Sequence, residues 1–121
     1  MNPDVGVAIV VLNYLNYQDT FNCVESILTL TYPNYKIIIV ENGSKNESYK
    51  QIVERYHNHP KITVLKSDTN LGFARGNNIG IRYALNLGIR FILCINNDTQ
   101  IISKDLIEGL LDSYYRNNKA A

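Results

Sequence analysis

Apolar residues gather in four short runs, at residues 5–12, 37–40, 62–65 and 91–95. They are β-branched and non-alternating, the pattern of strands buried on both faces. Helical periodicity fills the gaps. Residues 19–30 place Phe21, Val24, Ile27 and Leu28 on one face before the turn Tyr32-Pro33-Asn34. Ser44 and Glu47 have the spacing of a capping box, predicting a helix from Ser44 that carries Ile52, Val53 and Tyr56 until Pro60 blocks it. Residues 73–87 carry Phe73, Ile81, Ala84 and Leu85 and stop at Gly88, a natural left-handed C-terminal position. A last helix from Ser103 carries Leu106, Ile107, Leu110, Leu111 and Tyr114, with Asp105 in its first turn, and is expected to pack on the same sheet. The polar tail, residues 116–121, is expected to fray.

Strand, helix, strand repeated along a chain predicts the α/β class: a Rossmann-like, mostly parallel sheet with helices on both faces, because parallel neighbours need crossover connections. Such sheets bind ligands beyond the carboxyl ends of their strands.

With 121 residues and 45% apolar content, one domain over residues 1–121 is expected to bury its own core. Twelve Lys plus Arg against eleven Asp plus Glu leave a net charge of +1, no broad field for nucleic acid or an anionic membrane. An anionic ligand must therefore be held locally. Cys23 and Cys94 show neither metal-knuckle nor CxxC spacing and read as buried, reduced thiols. The apolar run at residues 7–12 is far shorter than a spanning helix, so no membrane segment or export leader is expected in this chain.

Unusual polar residues follow each apolar run: Asn13-Tyr14, Glu41-Asn42-Gly43-Ser44, residues 70–78, and Asn96-Asn97-Asp98. A strand-end carboxylate such as Glu41 is placed to accept from a ribose hydroxyl or a base imide, or to serve as a loop charge or helix cap. Asn42-Gly43 is also an ordinary turn dipeptide. In the stretch from Asn70 through Gly72, Arg75 and Asn77 to Gly80, glycines permit close backbone approach and Arg75 could meet a phosphate or stack on a base. Gly76 and Gly80 fall inside a predicted helix, which requires a packing or an access reason. Asn96, Asn97 and Asp98 offer two amide oxygens and a carboxylate to a hard cation that takes its remaining ligands from waters or substrate phosphates, or Asn97-Asp98-Thr99 is simply a turn. His57 and His59 flank Pro60 at the other end of the sheet and read as loop surface. Neither GxGxxG in the first turn nor GxxxxGK is present, and the first turn lacks the glycine and lysine of a nucleotidyltransferase phosphate loop.

Taken in order, Val10-Val11-Leu12-Asn13-Tyr14, Tyr32-Pro33-Asn34, Val40-Glu41-Asn42-Gly43-Ser44, Asn70-Leu71-Gly72-Phe73-Ala74-Arg75-Gly76-Asn77-Asn78 and Asn96-Asn97-Asp98 resemble the family 2 glycosyltransferases, in particular rhamnosyltransferases and other cell-surface polysaccharide enzymes. The resemblance implies the N-terminal, nucleotide-sugar-binding half of a GT-A type fold. It implies that Asn13 lines the nucleotide pocket, that Glu41 stands where the family's Asp contacts the base, and that Asn70, Gly72, Arg75, Asn77 and Asn97 surround the donor. Asp98 matches the last acid of the family's DxD motif and implies an Mg2+ or Mn2+ ligand, while Asn96 replaces the first acid. The implied reaction is inverting transfer from a nucleoside-diphosphate sugar, UDP- or dTDP-linked, to a saccharide or lipid-linked acceptor, in the cytoplasm or at the inner face of its membrane. The acids after Asp98, namely Asp105, Glu108 and Asp112, fall in the last predicted helix. No catalytic base is therefore assigned, and the chain is expected to be truncated before an acceptor-binding half. The alternative is a non-catalytic nucleotide-sugar-binding module.

Overall fold

The computed structural model describes residues 5–119. Four strands and four helices alternate: β1 (Val7–Asn13), α1 (Tyr17–Ile27), β2 (Tyr35–Asn42), α2 (Ser48–Tyr56), β3 (Ile62–Ser67), α3 (Phe73–Asn86), β4 (Phe91–Asn96) and α4 (Leu106–Lys119). All strand pairs are parallel, in the order β3-β2-β1-β4. The expected Rossmann-like, doubly covered parallel sheet is what the chain forms.

Crossover handedness explains which helix lies where. The connections through α1 and α2 carry the chain outward from β1 to β3, and the connection through α3 carries it back across the sheet to β4. Right-handed crossovers that run in opposite directions must lie on opposite faces. Accordingly Phe21, Val24 and Ile27 of α1, Ile52 and Tyr56 of α2, and Ile107 and Leu111 of α4 share one core with Val7, Ile9, Val11, Ile37 and Ile39. Ala84, with Ile79 and Tyr83 of α3, packs on the other face against Ala8, Val10, Ile38 and Val40.

The glycines predicted to need a packing reason have one. A Cβ on Gly80 would sit 2.6 Å from Val10 Cγ1 and 3.1 Å from Val40 Cγ2, and one on Gly76 would sit 2.7 Å from Leu12 Cδ1. α3 therefore rides close over the β1–β2 seam on small residues. This corrects the expected apolar stripe: Phe73 is 64% exposed and Leu85 54%, because Gly76, Gly80 and Ala84 face the sheet instead. It also corrects Cys94, which is exposed although Cys23 is buried. On that face α3 covers β1 and β2 and leaves the β4 side open.

Other expectations shift for local reasons. The capping box does not form: α2 begins at Ser48, and the Ser44 hydroxyl accepts the Leu15 N–H at 2.7 Å. Asp105 precedes α4, where the Ser103 hydroxyl donates to its carboxylate at 2.8 Å, and Glu108 is the acid of the first turn. The tail is helical through Lys119, helped by an Arg116–Asp112 ion pair at 2.8 Å; residues 120–121 of the predicted fraying segment lie outside the described residues. Gly88 terminates α3 with φ 83°, as expected.

Gly80→Ala tests the close approach of α3. A helix-interior Gly→Ala change alone gains up to about 1 kcal/mol, whereas overpacking against stiff, buried valines costs about 1–3 kcal/mol. A net loss of stability is expected in urea unfolding; a gain would show that α3 does not sit this close.

Candidate functional site

Because the strands are parallel, Asn13, Asn42, Ser67 and Asn96 all end on one edge. The strand order reverses at β1, and the crevice of such a reversal lies between β1 and β4. An open cleft of about 540 Å3 occupies it, lined by Leu12, Tyr14, Phe73, Asn96, Asn97 and Asp98. Two exposed aromatic rings and a free carboxylate rim the opening. Of the residues predicted from sequence, Asn97 and Asp98 line this cleft.

Asn13 and Glu41 are register partners at the ends of β1 and β2, 0% and 2% exposed. Asn13 Oδ1 accepts the Thr20 hydroxyl proton at 2.6 Å, and Asn13 Nδ2 has no partner. Both Glu41 oxygens accept the same Ser44 N–H, at 3.1 and 3.3 Å. A carboxylate has room for about four donors, so this buried group retains acceptor capacity. Glu41 is therefore neither a solvated loop charge nor the cap of α2, which starts at Ser48.

Glu41 does brace the loops above it. Through Ser44 it supports residues 14–16, where Leu15 adopts a left-handed φ of 65°. That conformation costs a non-glycine residue about 1–2 kcal/mol. It is held by the Ser44 hydroxyl on the Leu15 N–H at 2.7 Å and by Asn46 Nδ2 on the Leu15 carbonyl at 2.8 Å. Tyr17 adds a hydroxyl bond to Glu47 at 2.8 Å.

Asn70 and Gly72 form the entry to α3 rather than a free binding loop. Asn42 Nδ2 donates to Asn70 Oδ1 at 3.0 Å and to the Gly72 carbonyl at 3.2 Å, while Asn42 Oδ1 accepts the Leu71 N–H at 3.1 Å. Gly43, with φ 72°, lets this loop lie against the β2 end, since a Cβ there would meet the Thr69 carbonyl carbon at 2.1 Å. Asn77 is buried in α3, donating to the Phe73 carbonyl at 3.1 Å and leaving Oδ1 unpaired. Arg75 is exposed and lines a separate groove with Leu71, Asn78, Ile79 and Arg82. His57 and His59 lie in the α2–β3 connection, at the opposite end of the sheet.

Asn97 joins the two sides of the crevice. Its Nδ2 donates to the Asn16 carbonyl at 3.2 Å and to the Thr20 hydroxyl oxygen at 3.1 Å. Beneath it, burial and then the Asp98 charge push the Cys23 thiol up to about 11, so it stays a neutral filler under Asn96. No cluster of three or more His, Cys, Asp or Glu suited to a metal occurs among the described residues. One exposed carboxylate, Asp98, fits a cation that shares its coordination with substrate phosphates, as Mg2+ and Mn2+ sites commonly do. Sequence reasoning missed Asn42, Thr20 and Phe73. Asn42 reads as a turn, Thr20 as a helix residue and Phe73 as core, and only their partners reveal otherwise.

An open parallel sheet that reverses its strand order beside a polar cleft defines the doubly wound, ligand-binding α/β proteins. Within that class the chain belongs to glycosyl transferase family 2, whose model matches residues 7–121. It is 26% identical over 114 residues to the poly-beta-1,6-N-acetyl-D-glucosamine synthase of Staphylococcus epidermidis, an alignment covering 94% of this chain and 26% of that protein. The fold is similar to that of S. aureus TarS 1-349 in complex with UDP (TM-score 0.75, 21% identity, 89% of this chain and 31% of that one). It is also similar to the mannosyltransferase PcManGT from Pyrobaculum calidifontis in complex with GDP-Man and Mn2+ (TM-score 0.72, 16% identity, 88% and 32%). The chain thus spans about a third or less of the proteins it matches.

Asn42→Ala removes the clamp on the α3 entry. The expected loss is about 1–3 kcal/mol of stability, with the Leu71 amide exchanging roughly tenfold faster. Unchanged exchange at Leu71, read by hydrogen–deuterium NMR, would show that Asn42 does not hold this loop.

Proposed function

We propose that this chain is the donor-binding part of an inverting glycosyltransferase that uses a nucleoside-diphosphate sugar, UDP- or dTDP-linked, in the synthesis of a cell-surface polysaccharide. The observation that carries the reading is the juxtaposition, at one strand edge, of an unpaired buried amide, an under-bonded buried carboxylate and an exposed carboxylate beside a cleft. Asn13 and Glu41 offer a donor beside an acceptor, the complement of a base imide edge. Asp98 and Asn97 stand at the cleft, where the diphosphate would lie. Tyr14 and Phe73 provide apolar faces for the ribose or sugar. Asn70, Gly72 and Asn77 shape the α3 end of this site, and Arg75, which lines the separate groove, would have to leave it by a change of side-chain rotamer to meet the phosphates.

The reaction this supports is attack of an acceptor hydroxyl on the anomeric carbon, opposite the departing nucleoside diphosphate. Asp98, with Asn97 beside it, would hold an Mg2+ or Mn2+ ion, which supplies charge neutralisation to the leaving diphosphate. Deprotonating the acceptor requires a general base within hydrogen-bond reach. We assign that base, and the saccharide or lipid-linked acceptor's site, to protein beyond residues 1–121. The motif resemblance favours the rhamnosyltransferase-like branch, acting in the cytoplasm or at its membrane face. Among the described residues no helix is long and apolar enough to cross a membrane.

Calorimetric titration with UDP, dTDP and GDP, with and without Mn2+, tests the reading. Cation-dependent binding of at least one nucleotide is expected, weakened roughly tenfold or more in Asp98→Ala, as for loss of a charge-assisted contact. Cation-independent binding, or full affinity in Asp98→Ala, would remove Asp98 from the site.

A further inference from the structure

Hydrogen-bond direction can be read along one chain of groups at the crevice. The Asn16 carbonyl can only accept, so the Asn97 atom facing it, 3.2 Å away, must be the amide nitrogen. That same nitrogen lies 3.1 Å from Thr20 Oγ1, which therefore accepts from it. Thr20 is fully buried, and its single hydroxyl proton goes to the remaining neighbour, Asn13, at 2.6 Å. The Asn13 atom facing Thr20 must then be Oδ1. Its NH2 group is turned away, buried and without a partner.

We infer that Thr20 is a specificity-setting positioning residue, which fixes the Asn13 amide so that a donor, rather than an acceptor, stands beside the spare acceptor capacity of Glu41. The inference rests on the proposed nucleotide site. Uracil, thymine and guanine each carry a ring N–H next to a carbonyl and match a donor beside an acceptor. Cytosine and adenine carry a bare ring nitrogen next to an amino group and present the opposite order. With the Asn13 amide held turned over, the site would present two acceptors and match neither class. A site whose buried polar groups must be paired rejects a mismatched ligand strongly. Thr20 would thus select the class of base without touching it.

The test compares UDP, dTDP and GDP with CDP and ADP, all with Mn2+, on the wild-type chain, Thr20→Ser, Thr20→Val and Asn97→Asp. Diphosphate and cation are common to all five ligands, so the ratio between base classes isolates the base edge from general loss of affinity or stability. The wild type is expected to prefer its best imide diphosphate over CDP and ADP by roughly tenfold or more. Thr20→Ser keeps the hydroxyl and should keep the preference. Thr20→Val leaves the amide able to take either orientation, so the preference should fall by roughly twofold, as for a binding-competent state populated about half the time. Asn97→Asp reaches the relay from its part-exposed end: an acceptor at residue 97 takes the Thr20 proton, Asn13 turns its NH2 to Thr20, and the preference again falls. That variant carries the test should Thr20→Val not fold. A wild type that binds CDP and UDP alike, or variants that retain the wild-type preference, would overturn the role of Thr20 while leaving the nucleotide site standing. No binding of any of the five to the wild type would instead overturn the site on which the inference rests.

Discussion

Parallel pairing is the constraint from which the arrangement follows. It forbids tight hairpins, so each strand must be followed by a crossover, and it delivers every strand's carboxyl end to the same edge. β1 occupies an inner position with β2 on one side and β4 on the other, and the third crossover must return over the opposite face. That return places α3 over the β1–β2 seam, held close by Gly76 and Gly80 against Leu12, Val10 and Val40. The uncovered ground beside it, over β1 and β4, is where the cleft opens between Phe73 and Asp98.

The edge of the sheet then divides into two polar layers. On the α3 face lies the cleft, with exposed rings and an exposed carboxylate. On the α1 face, Asn97 at the cleft edge is hydrogen-bonded to the buried Thr20 and Thr20 to the buried Asn13, whose Nδ2 has no partner, and the buried Glu41, bonded to Ser44, stands beside Asn13 in the strand register. Buried polar groups without partners are rare and call for an explanation; under the proposed function, a nucleotide lying across the strand ends would supply one for Asn13. The left-handed Leu15 fits the same picture, because strain of this kind concentrates where a loop is held in a functional conformation.

Much of this was legible in the chain. β-branched runs with helical periodicity between them gave the class and the element order, and the polar residues after each run marked the edge where the cleft lies. The rest was hidden because it depends on partners distant in sequence. Ser44 and Glu47 have capping-box spacing, but Ser44 serves Leu15 and Glu41 instead of a helix. Phe73 sits at a helical position that reads as core, and only the glycine contact of α3 with the sheet leaves it outside. Asn42 looks like half of a turn dipeptide, yet it clamps residues 70–72 across 28 to 30 positions of chain. The direction of an amide cannot be read from sequence at all; it emerges when Asn97 meets a carbonyl that can only accept.

Paramagnetic broadening by Mn2+ in the presence of UDP, on the 15N-labelled chain, tests the location of the site most directly. A donor site at the β1–β4 crevice predicts that amide signals of residues 96–99 fade first, followed by residues 13–15 and 72–75, while those of residues 57–59 and 61 at the far end persist. Broadening centred on His57 and His59, or spread evenly over the surface, would contradict a cation and nucleotide held at Asp98.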